Sequence, residues 1–363
     1  MAATPEITAW HAPWAGKHNP YQQLLAGSLE PHGVRIVPMR ATARFIRHMK
    51  GCKRGDVLHL HWLGELHTRG GFVLSLIKSL YFLGQLWRLK RRGIRLVYTV
   101  HNLEAHDPKH PRLQRWVKVR TARACDSLIA HCGYARRAAA ERFGVPLSRI
   151  SVIPHGNYIG AYPEGTSRAE KRDELGIPED SFVFLFFGAL RWYKGLDELI
   201  EAFGEVKSDR ARLVIAGKPM DANVNSQVGE AVQHDPRIVY VPGFVEDVEL
   251  SSFLRMSDMM VLAFKRVLTS GSMILSMSYG LPVLTRAAGC LSETGEGWGV
   301  YFYSEGQGKT LADTMRHAAE QPAELAEAGL MAEQRAKRWS WARVGKRTAR
   351  VYGIDPPRQA RGQ

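Results

Sequence analysis

Short apolar runs alternate with longer segments of helical spacing from one end of the chain to the other. In the first half, residues 7–12, 34–39, 56–62, 95–101, 126–131 and 151–156 carry strand patterns, and 20–31, 41–50, 71–92, 111–124 and 133–143 carry helical ones. A polar, helix-poor stretch, 157–180, precedes a second series. Its strands are 182–188, 212–217, 238–242, 259–264 and 282–286, and its helices are 195–206, 223–234, 246–257 and 270–280. Residues 308–339 are helical by pattern, and 340–353 form a basic amphipathic helix. Repeated strand–helix–strand units predict α/β architecture: two doubly wound parallel sheets facing across a cleft. The predicted domains are 1–157, 158–339, a helix 340–353 returning to the first domain, and a disordered tail 354–363.

The run FVFLFF at 182–187 lacks alternation, as a strand buried on both faces should. A loop with Arg191 and Lys194 follows it, then a helical pattern opening at Gly195. A strand that delivers a basic loop to a helix start suits phosphate: Arg forks onto the oxygens and Lys supplies a point charge. An ordinary strand–helix junction with two solvated cations fits the same residues. A second junction tips the balance, because Thr269, Ser270, Gly271 and Ser272 stand where another buried strand gives way to a helix. Ser, Thr and Gly there suit an N-cap and leave donors for an anion.

Ligands of open α/β sheets sit at the carboxyl ends of strands. Those ends supply Gly188, Gly217, Lys218, Phe244 and Val245 in the second half. In the first half they supply Asn19, Trp62, Glu65, His101, Asn102, Glu104 and Asp107. The glycine- and cation-rich group suits a nucleotide diphosphate, with Phe244 and Val245 beside the base. The His-, Asn- and acid-rich group suits an acceptor and its chemistry.

Charge is uneven. Of 50 Lys and Arg, 26 lie in residues 1–168 beside 9 Asp and Glu, so that half carries +17 while the remainder carries −2. A basic first half implies a polyanion or an anionic lipid surface. No helix-turn-helix, zinc or aromatic RNA-binding pattern supports nucleic acid. The four cysteines show no zinc-ligand spacing, the start lacks a signal-peptide pattern, and no apolar run approaches the ~20 residues of a membrane span. The chain therefore reads as cytoplasmic. The segment 71–92 is apolar around most of its circumference, with Ser75, Lys78, Ser79, Gln85 and Arg88 as a narrow polar stripe. It reads either as a buried crossover helix or as an interfacial helix on the inner face of the cell membrane.

FFGALRWYKGLDELIEAF, RLVIAGKP, VYVPGFV and DMMVLAF, in that order, resemble the donor domain of GT-B glycosyltransferases of the family 4 type. NPYQQLL, DVLHLHW, TVHNLEAHD, IPHGNY and the TSG-to-GLPVL helix look more narrowly like xanthan-type exopolysaccharide mannosyltransferases. Two features depart from the common family pattern. Ala189 stands where many members carry Arg, so Arg191 must serve, and a glutamate pair expected near Lys265 and Leu275 is absent. The resemblance implies transfer of a sugar, mannose from GDP-mannose first, to a lipid-linked saccharide in bacterial polysaccharide synthesis. The alternatives are a UDP-sugar (glucuronosyl or glucosyl) transferase and a non-catalytic sugar-nucleotide-binding protein. Arg191, Lys194 and the helix starting near Ser270 would stabilise the leaving diphosphate. No Asp-x-Asp cluster is present, so neither a metal nor another cofactor is expected. Asp107, then Glu104 and Glu65, are the candidate bases, and His101 is a candidate contact for a sugar hydroxyl or phosphate. Asn19, Trp62 and Asn102 are candidates for the acceptor or sugar, although Trp62 fits a core position equally.

Overall fold

The computed structural model describes residues 7–14, 19–40, 44–64, 70–104, 108–220, 222–304 and 309–354. The chain divides into two compact units: Met1–Gly156 with Ser340–Gln363, and Asn157–Trp339.

The first unit carries a six-stranded sheet of β1 (Ile7–Ala12), β2 (Val34–Pro38), β3 (Val57–Leu60), β4 (Arg95–Thr99), β5 (Ser127–Ala130) and β6 (Ile150–Val152). The strands are all parallel, in the order β2-β1-β3-β4-β5-β6. Around it lie α1 (Tyr21–Leu29), α2 (Phe72–Arg91), α3 (Pro111–Ala124) and α4 (Gly133–Phe143). Of the helix predicted over 41–50, the described part is a single 3₁₀ turn, Phe45–His48.

The second unit opens with α5 (Arg168–Glu174), inside the stretch expected to be helix-poor. Ser167 and Glu170 close a reciprocal capping box at its start, the local signal that was overlooked. Arg172 of this helix is buried against Asp258, 2.9 Å away, and against the carbonyls of Met256 and Ser181. The sheet comprises β7 (Phe182–Phe187), β8 (Ala211–Gly217), β9 (Ile238–Pro242), β10 (Met259–Leu262), β11 (Val283–Arg286) and β12 (Val300–Tyr303). All are parallel, in the order β12-β11-β10-β7-β8-β9. The predicted strands are all present, and β12 is additional. The helices are α6 (Leu196–Gly204), α7 (Ala222–His234), α8 (Asp247–Met256), α9 (Gly271–Ser278), α10 (Gly289–Gly295), α11 (Leu311–Glu320) and α12 (Pro322–Lys337). The helix expected over 308–339 is thus two, parted at Gln321–Pro322, where the proline begins the new helix without needing its missing N–H.

Phe184, Phe186, Leu199, Phe203, Leu213, Ile215 and Val261 are buried in one cluster that fixes β7, β8, β10 and α6 together. In the first unit the last helix, α13 (Trp341–Val351), lies on α1 and joins the core through Val344, Ala349 and Val351. Gly345 permits this approach, since a β-carbon there would collide with the carbonyl oxygen of Ser28. The predicted tail 354–363 falls, after Ile354, outside the described residues.

Candidate functional site

In the second unit the chain runs outward from β7 through β8 to β9 on one side, and from β10 through β11 to β12 on the other. The gap between the carboxyl ends of β7 and β10 is therefore the topological switch point, where doubly wound sheets bind ligands. Arg191–Gly195 follow β7, and Thr269–Ser272 lead from β10 into α9. The two loops are tied together. Lys265 N–H donates to the Tyr193 carbonyl at 2.9 Å, and Gly195, at φ +69°, lies so close that a β-carbon would overlap the Ala263 carbonyl. A second close approach joins β7 and β8, because a β-carbon on Gly217 would strike the Gly188 carbonyl oxygen.

The charges at this switch point are unequal in their pairing. Lys265 contacts Asp197 at 2.5 Å and Arg286 contacts Glu198 at 2.8 Å. These two carboxylates occupy the first turn of α6, so the positive end of that helix offers an anion less than the sequence reading assumed. Arg191 and Lys194, by contrast, have no carboxylate partner among the described residues. Burial, with Arg191 adding repulsion, pulls the Lys194 ammonium down to about 8. A buried ammonium beside a second cation, with no carboxylate partner among the described residues, is chemistry that an anion would satisfy.

The start of α9 supplies the complementary donors. Ser270 is its N-cap, and its hydroxyl accepts from Met273 N–H at 3.1 Å. The N–H groups of Gly271 and Ser272 have no partner among the described residues, and Thr269 precedes the cap. Lys218, exposed after β8, and Phe244 and Val245, after β9, continue along the same sheet edge. Phe244 presents 46% of its surface to solvent, an exposed apolar ring where a base would lie. At ~4.8 Å per strand, the step from β7 to β9 is ~10 Å, the span from a diphosphate to its base.

In the first unit His101 is buried and stacks on Trp62, with ring centroids 4.4 Å apart at 15°. Its Nε2 lies 3.1 Å from His61 Nδ1. Burial holds this imidazole well below the usual histidine range, with His131 and His155 adding repulsion. It is neutral at pH 7, a form suited to a hydroxyl rather than to countering phosphate charge. The Asn102 carbonyl accepts from Lys118 Nζ at 3.1 Å. Asn19 Oδ1 accepts from Tyr21 N–H at 3.1 Å, an Asx turn leading into α1 and a structural use of that amide. Glu104 is ion-paired with Arg142, a contact that competes with service as a base. Asp107 and Glu65 lie outside the described residues.

Sequence reading missed the size of the histidine group. His11, His59, His61, His101, His131 and His155 stand on or just beyond successive parallel strands, which brings them to one sheet edge. The signal was a histidine near the end of every such run but one. Tyr352, just past α13, bridges His11 Nε2 at 2.9 Å and His59 Nδ1 at 2.6 Å, and Thr99 meets His59 Nε2 at 2.7 Å. Nitrogens of His11, His59 and His61 lie within 4.8 Å of one another. A tetrahedral metal at ~2.0–2.1 Å from each needs nitrogens nearer ~3.4 Å. Both His59 nitrogens already meet hydroxyls, so the three as they stand do not form a metal centre, while His11 Nδ1, His61 Nε2 and His131 Nε2 are buried without a hydrogen-bond partner.

The helix α2 buries Phe82, Leu86 and Leu89 in its C-terminal half and polar side chains as well. Its polar Ser75, Ser79 and Gln85 are buried, with Gln85 Oε1 accepting from Ile46 N–H at 3.2 Å. Phe72, Val73, Leu74, Ile77, Leu80 and Trp87 are exposed, Val73 at 69% and Ile77 at 57%. The buried-crossover reading therefore holds for the C-terminal half of the helix, where Phe82, Leu86 and Leu89 enter the core, and not for its N-terminal half. Nor is the basic cluster at its end all free, because Lys90 binds Asp126 at 3.0 Å and the Ala124 carbonyl at 2.7 Å. No described helix is long and apolar enough to cross a membrane.

Residues 25–157 match the family Glycosyltransferase Family 4, and residues 167–338 match Glycosyl transferases group 1. The chain is 28% identical over 314 residues to a GDP-mannose:glycolipid 4-beta-D-mannosyltransferase of Xanthomonas campestris pv. campestris, covering 82% of this chain and 80% of the relative. It is 25% identical over 323 residues to a D-inositol 3-phosphate glycosyltransferase of Kineococcus radiotolerans, covering 80% and 74%. Among solved structures, Anabaena HepE in complex with UDP and glucose superposes with a TM-score of 0.74 at 17% identity, covering 96% of this chain and 99% of that one. Sucrose-phosphate synthase of Thermosynechococcus elongatus superposes at 0.73 and 16% identity, covering 95% and 98%. With two parallel six-stranded sheets and both family matches in sequence order, the chain belongs to the GT-B glycosyltransferases of the family 4 and group 1 type, enzymes that use a nucleotide sugar.

Proposed function

We propose that the protein transfers mannose from GDP-mannose to a lipid-linked saccharide during bacterial polysaccharide assembly. The observation that carries the donor half is the pair Arg191 and Lys194, without carboxylate partners among the described residues, while the neighbouring Lys265 and Arg286 are paired. In this reading the diphosphate lies between that pair and the N–H groups opening α9. Charge that develops on the leaving diphosphate then meets donors already in place, which lowers the barrier without solvent reorganisation. His101, neutral, hydrogen-bonds a hydroxyl, Asp107 stands first as base, and Phe244 lies against the nucleobase. Mannose and GDP are favoured by the similarity to the Xanthomonas enzyme. A UDP-sugar is the second reading, favoured by the likeness to HepE, solved with UDP and glucose. Turnover of GDP-mannose measured beside UDP-glucose and UDP-glucuronate, with EDTA in excess, tests donor and metal together. GDP-mannose should be consumed at least tenfold faster than either. Turnover lost on chelation and restored by Mg²⁺ or Mn²⁺ would sink the metal-free mechanism.

The exposed apolar side of α2 supports a peripheral seat on an anionic membrane, where a lipid-linked acceptor is presented. Each buried Ile or Leu side chain contributes ~1.5–3 kcal/mol, so Ile77→Asp with Leu80→Asp should weaken vesicle binding at least ~100-fold. Both positions are exposed, so the fold should persist. Co-sedimentation with vesicles containing anionic lipid checks this. Unchanged binding by the double variant would exclude α2 as the contact.

A further inference from the structure

The hydrogen bonds of the buried histidine group determine where several of its protons sit. A neutral imidazole carries one N–H and one bare nitrogen, and the contact at one nitrogen fixes what the other presents. His131 settles its own case. Its Nδ1 lies 3.0 Å from the Ile153 carbonyl, which only accepts, so Nδ1 holds the proton and the partnerless Nε2 is bare. The group thus already keeps a lone pair, not an N–H, at a buried nitrogen without a partner. A buried N–H with no acceptor is the rarer and costlier defect.

The contacts of His11 and His59 obey the same rule without remainder. His11 Nδ1 is buried and partnerless, so Nε2 carries the proton and donates to the Tyr352 hydroxyl at 2.9 Å. Tyr352 then donates to His59 Nδ1 at 2.6 Å, and His59 Nε2 donates to Thr99 at 2.7 Å. Thr99 in turn meets the Tyr21 side chain.

His61 is the informative member. It is 1% exposed, its Nδ1 lies 3.1 Å from His101 Nε2, and its Nε2 is buried with no partner among the described residues. Burial, and then the neighbouring imidazoles, keep both rings neutral, so one proton lies between them. If His101 donated it, His61 would carry its own proton on Nε2, where no acceptor stands among the described residues. If His61 donates, its partnerless nitrogen is bare, as in His131, and the His101 proton sits on Nδ1. Only this second arrangement strands no donor. Both rings are held in place, since His101 stacks on Trp62 and the His61 centroid lies 4.2 Å from that of His59.

We infer that His61 is a positioning residue: it donates from Nδ1 to His101 Nε2 and so presents His101 to a sugar hydroxyl as an N–H donor at Nδ1. The inference rests on the reading of His101 as a hydroxyl contact and adds the direction of that hydrogen bond, in which the sugar oxygen accepts.

The test uses the intact protein with ¹⁵N-labelled histidine and long-range proton–nitrogen correlation spectra. The signals lost in His101→Gln and in His61→Asn assign the two rings. In wild type both should show the proton on Nδ1 and a bare Nε2. His61→Leu removes the donor, so His101 should move towards the Nε2–H form and kcat should fall ~10-fold or more. His61→Asn keeps an N–H near the place of Nδ1 and should recover most of that loss, with the His101 proton back on Nδ1. A purely structural His61 would lower Tm in the Leu variant without moving the His101 proton, and that result would overturn the inference. So would a wild-type His101 protonated on Nε2. Should His61→Leu not fold, the wild-type spectrum and the Asn variant decide the matter. Normal turnover in His101→Gln would instead strike the hydroxyl contact and leave the proton assignment standing.

Discussion

Acidification from pH 7 to pH 5 is expected to unfold the unit built from Met1–Gly156 and Ser340–Gln363. His11, His131 and His155 are held by burial near 3, 4 and 3 respectively, and His59, His61 and His101 are shifted in the same direction. A folded-state value below the unfolded one means that the unfolded chain takes protons first. Stability is then intact above pH ~6.5 and falls as pH drops from there towards the folded values. Each such histidine costs ~1.4 kcal/mol per pH unit in that window, so His11, His131 and His155 alone cost ~4 kcal/mol per unit. One to two units below pH 6.5 thus remove ~4–8 kcal/mol from these three alone, enough to unfold a domain at the lower end of the usual ~5–15 kcal/mol. Circular dichroism melts at half-unit intervals should show Tm falling steeply below pH 6.5. Tyr352→Phe removes the hydroxyl shared by His11 and His59 and should cost a further ~1–3 kcal/mol at pH 7. A Tm unchanged between pH 7 and pH 5 would mean that the imidazoles take up protons while folded.

Lys194→Ala and Arg191→Ala are each expected to cut turnover by ~30-fold or more with the fold intact. A charge-assisted contact contributes ~1.5–3 kcal/mol, more where charge develops, and a 30-fold loss needs only ~2 kcal/mol. Both side chains are half-buried and neither has a carboxylate partner among the described residues, although the Lys194 ammonium lies 6.0 Å from the Phe186 ring, so melts should shift by no more than a few degrees. The pH dependence has a definite sign. With the Lys194 ammonium near 8 in the free enzyme, kcat/KM for the donor should decline as pH rises through that value. Lys194→Arg should retain charge at high pH and move that limb upward. Near-normal turnover in both alanine variants would remove the diphosphate from this loop.

The fold was legible because parallel strands buried on both faces leave unbroken apolar runs, as at 182–187, and β/helix alternation leaves few topologies. What escaped has physical reasons. The strand Val300–Tyr303 is four residues long and follows Gly297 and Gly299, so its run is short and flanked by breakers. The helix Arg168–Glu174 contains neither an apolar stripe nor a long run, and its buried Lys171 is matched by Glu174 of the same helix and by Glu249, and its buried Arg172 by Asp258. Composition told that α2 was mostly apolar. That its buried side would include Gln85 beside Phe82, Leu86 and Leu89 could not be read from the helix alone, since the Gln85 partner is Ile46, thirty-nine positions away. The cations of the donor loop could be read from order along the chain. That Lys265 and Arg286 are neutralised while Arg191 and Lys194 are not required the packing of α6 against β10 and β11.

The most direct test of sugar-nucleotide transfer by this chain is calorimetric titration of GDP and UDP into wild-type and Lys194→Ala protein in EDTA. The donor assignment predicts that the wild type binds a nucleoside diphosphate without metal, GDP ahead of UDP. Lys194→Ala should lose at least ~10-fold, the ~1.4 kcal/mol that one charge-assisted contact supplies at minimum. Binding of neither nucleotide, or equal affinity in wild type and variant, would contradict it.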